Sequence, residues 1–212
     1  MMRTAPAGRT LRFITALSAR LTCPKPNARP IRHNARVPDR NGKIFYTSIT
    51  SLSHISKLAG LIDIYLIDSK YYSPEVSLRY SKVNDYFKVN LAALKEAFSQ
   101  QPKNLFDNDG ILKRGVIVRH LVLPSNTSDS RKLLKALKEN FSENITVSLM
   151  CQYTPLGNSE NFTEINRRLK RKEFKTVYDF LLSLGYKNGY IQSFSSADNS
   201  YVSNFDIIDI YE

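Results

Sequence analysis

Gly115-Val116-Ile117-Val118-Arg119-His120-Leu121-Val122-Leu123-Pro124 is the stretch whose reading decides the fold. It is a run of β-branched and aliphatic residues, closed by Pro124 and the turn-forming Ser125-Asn126-Thr127-Ser128. Such a continuous apolar run reads as a strand buried on both faces, the kind that belongs to a parallel sheet covered by helices. Arg119 and His120 interrupt it. Either Arg119 forms a structural ion pair and His120 is a hydrogen-bonded core histidine, or both reach a ligand site, since parallel α/β folds place their sites at the carboxyl ends of strands.

Two further stretches have the same texture. Residues 61–70 form an apolar run that finishes in Asp68-Ser69-Lys70, and strand alternation puts Asp68 and Lys70 on one face, able to pair with each other or to share a polar ligand. Residues 145–153 end in Gln152 and Tyr153 before Pro155 and Gly157 break the strand. Cys151 beside them reads as a small core residue, because no base is evident to activate it.

Helices are expected between these strands. One covers residues 49–59, carries His54 and is closed by Gly60. Others cover 74–80, where Pro74 stands at the first position, and 84–100, where Phe87, Leu91, Leu94 and Phe98 share a face. A helix over 131–141 is expected to be capped by Asp129 or Ser130, and another over 163–184 is stopped by Gly185. Residues 43–47 and 189–194 are outer strands, followed by an irregular tail. The order is strand, helix, strand, helices, strand, helix, strand, helix, strand. With right-handed crossovers this gives an arc of parallel strands with helices outside. Polar residues at three successive strand ends favour one site over three accidents.

Hydrophobic residues make up 42% of the 212 and charged residues 24%, ordinary for a globular chain, and no run approaches the roughly 20 apolar residues of a membrane helix. Two cysteines, Cys23 and Cys151, cannot build a four-thiolate metal site or a disulfide framework, which suits a reducing compartment such as the cytoplasm. The net charge is +12, but residues 1–43 hold ten Lys or Arg against one acid, while the remainder holds 21 against 18. Basicity therefore belongs to an extension over residues 1–42, separate from a domain over 43–212. That Arg-rich, Pro-rich extension could be an organellar transit peptide, placing the protein in an organelle matrix, a polyanion-binding arm, or sequence of no selected function. The basic cluster at 167–172 lacks interleaved aromatics and reads as solvated surface, so nucleic acid is not the expected partner of the body. His33, His54 and His120 stand in unlike contexts, with neither a nucleophile elbow nor a phosphate loop, which argues against hydrolysis.

The stretches 63–72, 118–124, 148–155, 165–169 and 191–205 together resemble the C-terminal half of radical S-adenosylmethionine proteins of the pyruvate formate-lyase-activating-enzyme-like, or glycyl-radical activase-like, kind. The resemblance implies a partial (β/α)6 barrel whose strand ends bind S-adenosylmethionine. By that analogy Asp68 and Lys70 approach the amino acid moiety of the cofactor, Arg119 and His120 contribute from the next strand, and Gln152 and Tyr153 line the adjoining rim. It also implies a [4Fe-4S] cluster on a Cys-x3-Cys-x2-Cys loop and a glycyl-radical enzyme or other protein as partner. That cysteine loop is absent from this sequence, Ser69 stands where the pattern has Phe, and Ser125 where it has Gly. The expectation is therefore an activase-like chain, truncated or with a replaced N-terminus, that does not generate a radical alone. The alternatives are a non-catalytic interaction module, whose open sheet edges a partner covers, and polyanion binding through the basic arm.

Overall fold

The computed structural model describes residues 44–47, 52–108, 112–141, 145–155, 157–186, 189–192 and 205–206. The basic extension, Cys23, His33 and the stretch expected as an irregular tail at 195–204 lie outside them.

Five strands run parallel in the order in which they occur: β1 (Ile44–Thr47), β2 (Ile64–Asp68), β4 (Leu112–Leu121), β5 (Thr146–Met150) and β6 (Gly189–Gln192). Their connections carry α1 (Leu52–Ser56), then α2 (Pro74–Ser81) and α3 (Tyr86–Gln100), then α4 (Thr127–Phe141), then α5 (Arg171–Ser183). The expected α/β class and the order of elements are both present. Because the strand order never reverses, right-handed crossovers place every connecting helix on the same face.

Burial follows from alternation. Tyr65 and Ile67 of β2, Val116 and Val118 of β4, Val147 and Leu149 of β5, and Ile191 of β6 form one core with Ala93, Leu94 and Ala97 of α3, Leu133, Leu134 and Leu137 of α4, and Val177 and Leu181 of α5. Their neighbours in sequence point the other way. Ile64, Leu66, Ile117 and Tyr190 make a second, smaller cluster with Leu112 on the face opposite the helices.

Several boundaries differ from the sequence reading for identifiable reasons. β4 begins at Leu112, before the apolar run, because its first residues pair antiparallel with a two-residue strand, β3 (Leu105–Phe106). That strand was not expected. Gly115 sits at φ +144, and Asn104 fills the space beside it: its Oδ1 accepts the Val116 N–H at 2.9 Å, and its side-chain amide donates to Thr146 Oγ1 on β5. α4 starts at Thr127, one turn earlier than read, so Asp129 is not its cap. Asp129 is buried and accepts the N–H groups of Tyr72 (2.9 Å) and Ser73 (2.8 Å), which holds the β2–α2 loop. α5 begins only at Arg171, after a 3-10 turn at Gly157–Asn161. A short β7 (Phe205–Asp206) pairs antiparallel with β6.

Candidate functional site at the strand ends

The polar residues singled out by sequence divide between two faces. Asp68 and Arg119 are register partners on adjacent strands and lie on the face away from the helices. Arg119 Nε donates to Asp68 Oδ1 at 2.6 Å, so Asp68 pairs across strands and not with Lys70. His120 points the opposite way, into the helix-covered core, where it is fully buried. Its Nδ1 lies 2.7 Å from the carbonyl oxygen of Ser69, which can only accept, so the ring carries its proton on Nδ1. Burial lowers its pKa, keeping the ring neutral. Of the strand-end residues, His120 therefore does not share a face with the rest, and the reading of it as a hydrogen-bonded core histidine describes its place.

The Asp68-Ser69-Lys70 segment is fixed from behind by α3. Ser69 is buried and donates from Oγ to Asn90 Oδ1 at 2.6 Å; Asn90 Nδ2 in turn donates to the Asp68 carbonyl at 2.9 Å. Tyr86 donates its hydroxyl proton to the same carbonyl and accepts the Lys70 N–H at 3.1 Å. Burial raises the Tyr86 pKa, so it stays a neutral hydroxyl. A serine where the resembled pattern has Phe is thus matched by an asparagine that occupies its donor. Asp68 keeps its side chain on the open face beside Arg119, and Lys70 follows two residues beyond the end of β2. Lys70 is half-buried.

Gln152 and Tyr153 follow β5 and are both half-buried. Burial, and then Tyr71 and Tyr80, raise the Tyr153 pKa, and the Tyr71 and Tyr80 ring centroids lie 6.4 Å apart. The backbone entering this segment is held by Gln192 at the end of β6, whose Oε1 accepts the N–H groups of Cys151 (3.0 Å) and Gln152 (3.1 Å). The sequence reading gave Gln192 no role. Its available signal was the same one that marked Gln152: an amide closing a strand otherwise read as apolar.

A second set of contacts ties the rim together. Ser125, after Pro124, adopts φ +60, the left-handed region that favours glycine. Its N–H donates to Glu173 Oε1 at 2.8 Å, and Glu173 also accepts two bonds from Arg167 at 2.8 Å and the Lys170 N–H at 2.9 Å. Arg167 is therefore part of a clamp joining the β4–α4 loop to the start of α5, a correction to its reading as solvated surface. The Arg167 guanidinium and these N–H donors hold the Glu173 carboxyl at about 2. Glu164, which accepts from Arg79 Nε (2.7 Å) and the Tyr80 hydroxyl (3.0 Å), fastens the same segment to α2.

Cys151 is buried, its Sγ within 3.4 Å of the Gln192 carbonyl oxygen, and burial pushes the thiol up to about 12. It is neither a nucleophile nor an available thiolate. No helix among the described residues is long and apolar enough to cross a membrane.

No family model matches the chain, and no solved structure matches it significantly. Among curated proteins it is similar to the uncharacterized protein MJ0674 of Methanocaldococcus jannaschii, with 28% identity over 160 residues, covering 74% of this chain and 43% of that protein. The chain thus spans less than half the length of the relative it matches.

Proposed function

We propose that this chain is a radical S-adenosylmethionine-like, activase-like protein whose described strands are part of a (β/α) barrel, and that it binds S-adenosylmethionine at their carboxyl ends on the face opposite the helices. The observation that carries the reading is the charged pair there, Asp68 and Arg119 in register, with Lys70 two residues beyond the end of β2. One carboxylate beside two cations suits the zwitterionic amino acid end of that cofactor, its ammonium toward Asp68 and its carboxylate toward Lys70 and Arg119. Two further features support it. The unreversed strand order with one-sided helices is what a barrel arc requires, and the departure from the resembled pattern at Ser125 falls on a backbone position where glycine fits best.

The iron-sulfur cluster of such proteins does not fit these residues. The 212 residues hold two cysteines, and Cys151 is buried with its thiol held protonated. We therefore assign binding to this chain and route no chemical step through a cluster. A glycyl-radical enzyme or another protein is the partner class this reading implies, in the cytoplasm or an organelle matrix.

A second reading, a non-catalytic interaction module, is favoured by β1: four residues long and paired only with β2 among the described strands, it leaves an edge that another chain can cover. Calorimetric titration separates the two. Saturable binding of S-adenosylmethionine that weakens about tenfold in Lys70→Met and in Arg119→Ala, the loss of one charge-assisted hydrogen bond each, supports the first; no binding by the folded protein leaves the second.

A further inference from the structure

The open face is graded, and its far end has a donor without a partner among the described residues. Beyond the buried cluster of Ile64, Leu66, Ile117 and Tyr190, alternation brings up a row made of Lys70, Leu121, Met150 and Gln192. Leu121 and Met150 are register partners, and Gln192 follows Ile191, which faces Leu149. Four strands set this row at about 14 Å from end to end. Its middle residues are half-buried, an accessible apolar floor.

The two ends differ in chemistry. The β2–β4 end has the charged groups already described. At the β5–β6 end the side chains on this face, Ser148, Met150, Gln152, Tyr190 and Gln192, are all uncharged. Gln192 is fully buried, its Oε1 is used twice by backbone N–H groups, and its Nε2 has no partner among the described residues. A buried amide donor left unpaired is costly, and such groups in folded proteins are matched by a partner or mark where one binds. The two bonds to Oε1 also fix the amide's orientation, because exchanging its oxygen and nitrogen would set a donor against two donors.

We infer that Gln192 is a specificity-determining residue that donates from Nε2 to an uncharged acceptor, a carbonyl or amide oxygen, on a molecule bound along the Leu121 and Met150 floor. The inference rests on the reading that these strand ends form a ligand site, and it adds that the β5–β6 end selects neutral over anionic acceptors. The uncharged side chains there, among the described residues of this face, penalise a carboxylate.

The test uses the whole protein labelled with 15N-glutamine, in which the Gln192 side-chain NH2 signals are identified by their loss in Gln192→Glu. N-methylacetamide and acetate are the probes. Saturable shifts of the Gln192 signals with N-methylacetamide, absent with acetate, are the expected result. The Gln192→Glu variant keeps an acceptor for Cys151 and Gln152 but buries a carboxyl group, so its unfolding midpoint should fall below that of the parent, and the response of the Gln192 signals in the unaltered protein carries the test. Gln192 signals that stay unmoved by N-methylacetamide, or that respond equally to acetate, would overturn the inference. A parallel titration with S-adenosylmethionine reports on the preceding reading alone: its failure with a positive amide response would sink that reading and leave this one standing.

Discussion

Arg119 Nε and Asp68 Oδ1 meet at 2.6 Å across two hydrogen-bonded parallel strands, with the side chains 29% and 19% exposed. A pair this shielded is costly to break from one side, because the survivor keeps a partly desolvated charge. Asp68→Asn and Arg119→Met should each lower unfolding stability by about 1–3 kcal/mol. The double variant should lose less than their sum, as read by urea denaturation in a double-mutant cycle. Additive losses would show that the pair is not coupled in solution.

Gly115 is the position on β4 least tolerant of a side chain. A Cβ there would lie 1.9 Å from Asn104 Oδ1, at φ +144. Gly115→Ala should cost about 2–4 kcal/mol through strain and loss of the Asn104 bridge to Val116 and Thr146. Adding Asn104→Ala should recover part of that loss by opening the space. Denaturation of the three variants checks the sign of the coupling.

His120 gives the protein a pH dependence of definite direction. Burial depresses its folded pKa below the ordinary 6.5. The unfolded chain therefore binds the proton first as pH falls, and stability declines below about pH 6.5. Above that pH the contribution is flat. His120→Asn can still donate toward Ser69 and should flatten the slope between pH 6.5 and 5, measured by thermal melts across that range.

Glu173 acts in the same direction at lower pH. Its folded pKa is depressed to about 2 from an ordinary 4.5. The stability it contributes is present above about pH 4.5 and is lost as pH falls toward 2. Glu173→Gln should remove that acid-dependent loss and lower stability at neutral pH by about 1.5–3 kcal/mol, the range for hydrogen bonds to a charged group. A variant as stable as the parent at neutral pH would mean the clamp on Ser125, Arg167 and Lys170 is not formed.

The parallel architecture was legible because residues 61–70, 115–124 and 145–153 are apolar on both faces, a pattern that only a sheet covered by helices explains. Period-two alternation across the paired strands is what sets Asp68 beside Arg119. Applied to Arg119 and His120, the same rule separates them, and treating adjacent residues as one feature hid this. Asp129 was misread because a cap and a buried clamp use the same residue type, and only tertiary contact distinguishes them. Gln192 and the Arg167–Glu173 clamp depend on neighbours 41 and six residues away in sequence. Local pattern has no access to the first. The second was obscured by the surrounding basic residues.

The central claim, that the strand ends on the helix-free face bind S-adenosylmethionine, is tested most directly by amide NMR spectra of the 15N-labelled protein during titration with that compound. The account predicts saturable shifts concentrated at Asp68, Lys70, Arg119, Leu121, Gln152 and Tyr153, with the helix-covered core around Leu133 and Val177 unmoved. Spectra that stay unchanged to saturating cofactor, or shifts confined to the outer helices, would contradict it.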